Sequence, residues 1–345
     1  MKNIIVFCAC LLILVSCNET SRVYTIGRQV VSSKPERVVS LNAVDCIDGL
    51  CLEGAASLPC CADSILVISL VQAQNCYRAL NVNTMEYVDF LHKGRGPNEV
   101  IAGFFSDLRK ADGRWLLDIT AINEGVLLTI DLGQTFRDGH AVVSEKRTLL
   151  QNSYFSYPLG DLVLSEVRHD VDRISYKVYD WRDQKITKSI QPFGAEDYVE
   201  LCEPLFDWVG RLKPDGEKMC MGMFSFDEVD IFDIYGEDHL SISTSKTARF
   251  KTVIKDALEF DKWGEQAYYV ALAVTDDIIL ALYGDGSDSS TKWASSTIHA
   301  FSWEGQLKAI YHLDRPVTSI AVSADGKSLY GLTTEEVLCR YDLSQ

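Results

Sequence analysis

Basic clusters, long helical patterns and catalytic signatures are scarce in this 345-residue chain. Lysine and arginine together number 33 against 49 acids, a net charge of -16, and no run of cations breaks that balance. Nucleic-acid phosphates need a Lys/Arg surface before bases can be read, so nucleic acid is excluded as a partner. An acidic chain is also repelled by anionic lipid. No G-x-S-x-G elbow, H-E-x-x-H, Walker A or C-x-x-C occurs, so no catalytic residue, metal ligand or cofactor is assigned. The six histidines (His92, His140, His169, His239, His299, His312) fall at unlike places and do not suggest one metal site.

What is present begins at the amino terminus. "MKNIIVFCACLLILVSCNETS" has one early cation, Lys2, and an apolar run from Ile4 to Val15. That run is shorter than the ~20 residues that span a bilayer and reads as a secretory signal. Leu14-Val15-Ser16-Cys17 resembles the lipobox of bacterial lipoproteins, in which the cysteine becomes the acylated first residue. The resemblance implies a signal peptide over 1–16, a lipidated Cys17 with a tether over 17–22, and a folded body over 23–345. Each buried acyl methylene adds about 0.8 kcal/mol, so several chains anchor firmly. Asn18 after the cysteine, in place of the aspartate that in some bacteria retains lipoproteins at the inner membrane, favours the outer membrane of a cell envelope.

Eight cysteines lie beyond Cys17: Cys46, Cys51, Cys60, Cys61, Cys76, Cys202, Cys220 and Cys339. Export permits disulfides, and buried free thiols in strands fit the same residues. Zinc fits poorly, because Cys60 and Cys61 are adjacent and cannot easily both face one ion.

After residue 22, short apolar runs bounded by Asp, Gly, Asn and Ser recur, the mark of an all-β chain. The clearest unit is "VTSIAVSADGKSLYGLTTEEVLCRYDL", residues 317–343, in which Asp325-Gly326 turns one strand into the next and a third comes after. Degraded copies run upstream, marked by Asp63, Asp112, Asp161, Asp215 and Asp276, with spacings of 49, 49, 54, 61 and 49 residues up to Asp325. That period fits propeller blades of four antiparallel strands, six in number. The last copy holds only three strands, so the segment 23–44 is expected to supply the fourth and close the ring, sparing it an open edge.

Between the first two copies stands "LHKGRGPNEV", residues 91–100. A phosphate loop would need a helix directly after it, and the segment beyond Val100 is short and turn-rich. The stretch reads instead as a blade-to-blade crossing, with Gly94 and Gly96 free to take positive φ and Pro97 fixing its own. Gly-Arg-Gly-Pro-Asn-Glu, followed by an apolar residue and then "ADGRWLLDITAINEGVLLTIDL", resembles the blade pattern of NHL-like and, more closely, TolB-like six-bladed propeller lipoproteins of the Bacteroides type. Asn98 and Val100 stand where those families usually carry Gly and Phe. The candidate loop residues are His92, Gly94, Arg95, Gly96, Pro97, Asn98 and Glu99, with Arg95 and Glu99 paired or facing an axial mouth.

Other acid-rich or aromatic stretches have plain readings. Asp276-Asp277 and Glu335-Glu336 are turn residues, as is Asp170 with Asp172, and "GDGSDSSTK" (284–292) is a hairpin tip. "YFSY" (154–157) and "WGEQAYY" (263–269) suit blade packing better than sugar stacking. The expected function is an exported, lipid-anchored propeller that binds or scaffolds a protein, peptide or glycan at the envelope. The alternative is a propeller lyase or hydrolase with its site in the central channel.

Overall fold

A computed structural model describes residues 28–71, 73–96, 99–169, 173–190, 208–244, 267–285 and 293–344. The signal, Cys17, the tether, Pro97, Asn98, Asp170, Asp172, Cys202, Trp263 and most of 284–292 lie outside them.

The leading segment carries β1 (Arg28–Val31), β2 (Arg37–Leu41) and β3 (Asp45–Ile47). Blade 1 is β4 to β7 (Ala55–Ala62, Ile65–Leu70, Asn75–Asn81, Tyr87–His92). Blade 2 is β8 to β11 (Phe104–Ala111, Arg114–Ala121, Val126–Asp131, Val143–Thr148). Blade 3 is β12 to β15 (Ser153–Leu159, Leu162–His169, Arg173–Asp180, Lys185–Ile190). Blade 4 is β16 to β19 (Trp208–Leu212, Lys218–Met223, Val229–Asp233, His239–Ser243). Blade 5 is β20 to β23 (Tyr269–Val274, Ile278–Tyr283, Ser295–Ser302, Leu307–Val317). Blade 6 is β24 to β26 (Ser319–Val322, Ser328–Leu332, Leu338–Asp342), completed by β3.

Each blade is a meander because its turns favour one. In the first turn of blade 2, Asp112 and Gly113 take φ of 50° and 75°, the left-handed pair that a two-residue hairpin requires. All six marker aspartates fall in the turn between a blade's first and second strands, so they crowd one face of the disc. Strand residues alternate sides, and each blade therefore offers an apolar face to both neighbours.

Six buried clusters fill the six blade interfaces. Leu117, Ile119 and Val126 of blade 2 pack on Val67, Tyr77 and Phe90 of blade 1. Tyr176 and Val178 of blade 3 meet Trp208, Met221 and Phe232 of blade 4. The ring is complete because Ala321, Tyr330 and Leu338 of blade 6 pack on Leu58, Leu66 and Leu80 of blade 1. Blades 4 and 5 and blades 5 and 6 have clusters of like size.

The interface of blades 2 and 3 differs. Its apolar cluster is small, built on Leu127, Leu149, Val163 and Tyr179. Beside it runs a buried hydroxyl chain: Ser106 to Thr120 at 2.7 Å, Ser156 to Ser165 at 2.8 Å, and Ser165 to Tyr179 at 2.9 Å, with the Ser156 amide donating to Thr120 at 3.0 Å. Most buried hydroxyls in folded proteins have a hydrogen-bond partner, and these satisfy one another.

Closure differs in detail from the expected use of 23–44. The antiparallel partner of β26 is β3, just beyond that segment, with Cys46 opposite Cys339 and Asp45 opposite Arg340. The segment itself supplies β1 and β2, which add in parallel as fifth strands to the outer edges of blades 4 and 5. The leading chain thus follows the rim of three successive blades, covering two edges before it completes a third.

Candidate functional site

The first strands of the blades stand around the axis. Toward the face that carries the marker aspartates they open into a cavity of about 570 Å3, a size suited to a small ligand. Blade 1 contributes Pro59 to Cys61 and Asp63, and blade 2 contributes Phe105, Asp107 to Lys110 and Trp115. Blades 4, 5 and 6 contribute the ends of their first strands, from Arg211, Ala273 and Ala321 onward to Asp215, Asp276 and Asp325.

At the mouth, Trp115 Nε1 donates to Asp63 at 2.7 Å, and Lys110 lies over the Trp115 ring at 5.1 Å. Lys213 pairs with Asp215, and Asp325 accepts from the Ser323 hydroxyl at 2.6 Å. Those contacts hold three of the rim carboxylates in place.

Deeper in, Arg211 reaches from blade 4 to blade 2, its guanidinium 5.0 Å from the centre of the Phe105 ring. Its Nη1 donates to the carbonyl of Gly210 at 2.8 Å, while Nε is buried without a partner. Burial lowers its pKa. Asp107 shares this region, and protein on every side disfavours its charge although the channel leaves part of it open. Desolvation first, then the neighbouring Asp118, pushes its pKa to about 7, against the weaker pull of a hydrogen bond to the Leu108 backbone and of Arg109 and Arg211. Arg109 is engaged elsewhere, its Nε 3.0 Å from the buried Asp118 carboxylate, whose other oxygen accepts from Thr129 at 2.5 Å. The Cys60 thiol is pushed well above its ordinary range by burial, so it stays protonated and is not poised as a nucleophile.

An acid whose pKa rises on folding binds its proton more tightly in the native state. Stability from Asp107 is therefore lost as pH climbs from about 4, the unfolded value, to about 7. His299 works the other way. Burial between blades lowers its pKa to about 4, and the stability tied to its neutral form is lost as pH falls below about 6.5. Asp107→Asn isolates the first effect: relative to wild type, its unfolding midpoint should match at pH 4 and be higher at pH 8. The expected gain at pH 8 is about 2 kcal/mol, at about 1.4 kcal/mol per unit with allowance for channel water. Thermal melts at the two pH values measure it.

The crossing that carries Gly94, Arg95 and Gly96 lies at the opposite face, between the outer strand β7 and the inner strand β8. There the Gly94 amide donates to Val100 O at 3.0 Å and the Val100 amide to His92 O at 3.1 Å, pinching the loop. Glu99 turns its carboxylate inward and accepts from the Gly96 amide at 2.7 Å, while Arg95 and His92 are exposed. The expected reason for the glycines is corrected by this geometry. Neither has positive φ; a Cβ on Gly94 would stand 2.0 Å from Glu99 Oε2, and one on Gly96 2.9 Å. They are small so that the carboxylate can lie against the backbone, and the left-handed residue here is Leu91, at φ 60°.

Among the described cysteines none is bridged, although Cys46 and Cys339 hold their sulfurs 3.2 Å apart. Cys60 and Cys61 point to opposite sides of blade 1, one toward blade 2 and the other toward blade 6. No group of three His, Cys, Asp or Glu residues suited to a metal ion occurs among the described residues. Of the aromatic stretches, Tyr157 and Tyr269 are buried, and Tyr154 lies under Arg168 at 4.2 Å.

The residues that sequence reasoning passed over, Asp107 and Arg211, had left a signal. Aligned on the marker aspartates, the position four residues earlier reads Pro59, Leu108, Tyr157, Arg211, Leu272 and Ala321. The one before it reads Leu58, Asp107, Ser156, Gly210, Ala271 and Ile320. Each column holds one charge among uncharged residues.

Sheet topology and closed interfaces define the class: a six-bladed β-propeller with an axial cavity. No family model and no curated protein matches the chain. Among solved structures it is similar to a chain of the crystal structure of the mitotic checkpoint complex, at 12% identity and TM-score 0.46, covering 94% of this chain and 100% of that one. It is also similar to the β-propeller domain of Myceliophteria thermophila Cps50 (Swd1), at 10% identity and TM-score 0.48, covering 88% and 100%.

Proposed function

We propose that this chain is a binding module of the bacterial cell envelope, anchored by lipid at Cys17 and taking its ligand, a peptide, protein segment or glycan, in the axial cavity. The cavity carries the reading: five of the six blades line it, and it joins aromatic, aliphatic and charged groups in a volume suited to a small ligand. The first described strand, β1, lies on the rim of blade 4, so a tether from Cys17 would meet the ring away from the cavity. The Leu-Val-Ser-Cys sequence supports the anchor, and the outer membrane is the proposed site.

The lyase or hydrolase reading would use the same cavity. Asp107, with its pKa near neutrality, is the residue that favours it. Against it, Cys60, Asp107 and Arg211 make no hydrogen bond to one another, and binding is the better supported of the two.

Ala324 is exposed and lines the mouth, so Ala324→Trp should plug it without disturbing the core. Saturation-transfer NMR against a panel of short peptides and oligosaccharides should show binding to wild type and at least a tenfold loss in the plugged variant. Equal binding to both would overturn the proposal.

A further inference from the structure

Arg211 is an unusual residue to find deep in a channel. The one hydrogen bond of its guanidinium to the described residues goes to the neighbouring Gly210 carbonyl, its Nε is buried unpaired, and no carboxylate among them comes within ion-pair distance. A desolvated cation is unfavourable unless it is paired, yet the guanidinium is held in one place by Phe105. Its remaining donors form the planar fork that matches an oxyanion with two parallel hydrogen bonds.

The rest of the lining narrows the choice of anion. Five aspartates and only three cations face the cavity, and Asp276 at the mouth has no ion pair among the described residues. A free dianion such as phosphate would be repelled on entry. A zwitterion would not, since its ammonium can remain among the rim carboxylates while its carboxylate descends.

We propose that Arg211 anchors the carboxylate of a zwitterionic ligand, a short peptide with a free carboxyl terminus, whose ammonium group faces Asp276 and its neighbours at the mouth. This rests on the cavity being the binding site.

The test is calorimetric titration of the full mature chain with triglycine, triglycine amide and N-acetyltriglycine. Triglycine should bind; the amide and the acetylated peptide should each bind about tenfold more weakly or worse, the effect expected of one lost charge-assisted contact. Arg211→Met should lose triglycine to the same extent, and Arg211→Lys should keep part of it. The amide comparison uses unaltered protein, so it stands even if Arg211→Met folds poorly. Equal binding of acid and amide, unchanged binding by Arg211→Met, or no binding of triglycine at millimolar concentration would overturn the proposal. Acid and amide binding alike, with both lost in Ala324→Trp, would discard the role of Arg211 and retain the cavity.

Discussion

Oxidation of the folded chain is expected to join Cys46 to Cys339 and raise its unfolding midpoint by about 10 °C. The two residues face each other across β3 and β26, and their sulfurs are already 3.2 Å apart. Cys46 is exposed, whereas burial and the Cys46 contact push the Cys339 thiol up to about 12. Exchange therefore starts at Cys46. Its thiolate attacks a disulfide oxidant such as oxidised glutathione and releases one thiol. Cys339 then gives up its proton, attacks the Cys46 sulfur of the mixed disulfide and releases the second thiol. The bond would close a loop of 293 residues, and the chain-entropy model puts such a closure at roughly 5 kcal/mol, less any strain. At about 2 °C per kcal/mol for a chain of this size, that is the shift stated. Melts with and without dithiothreitol should differ in wild type and coincide in Cys46→Ser. A midpoint indifferent to reductant in the oxidised wild type would remove the latch.

Deleting the chain through Ile47 is expected to have a still larger consequence, the loss of a stable monomer. The deletion bares the outer edges of blades 4, 5 and 6 at once, where β1, β2 and β3 pair over four, five and three residues. It also removes Leu41 from the interface of blades 5 and 6. Twelve lost residue pairs at about 0.5 to 1 kcal/mol each approach the whole stability of an ordinary domain. Exposed edges are templates for pairing with another chain. Light scattering on the truncated protein should show oligomers; a monomer melting like wild type would mean that closure matters little.

The architecture was legible because each blade repeats a turn whose chemistry is local. Asp-Gly pairs and their relatives announce where the first strand of every copy ends, and the strands that the pattern sets at Ser319 to Ser323, Ser328 to Leu332 and Val337 to Asp342 differ from those found by at most one residue at either end. Closure was legible as a need but not as a location, since β3 is three residues long and too short for a pattern of its own. Gly94 and Gly96 show a different limit: a glycine can be required for φ or for space, and only the position of Glu99 decides between them. The hydroxyl chain between blades 2 and 3 could not be read at all. Its serines and threonines look like ordinary strand residues until the blades are set side by side. Arg211 and Asp107 lie between these extremes, since the copies must be aligned before either stands out.

What occupies the axis decides whether the propeller is a binding module of the kind proposed. Crystals of the protein soaked in glycylglycylselenomethionine, a zwitterionic tripeptide with an anomalous scatterer, test it most directly. The predicted result is a selenium peak inside the axial cavity with the carboxylate of the peptide on the Arg211 guanidinium. An empty cavity, with selenium only on the outer surface of the ring, would contradict it.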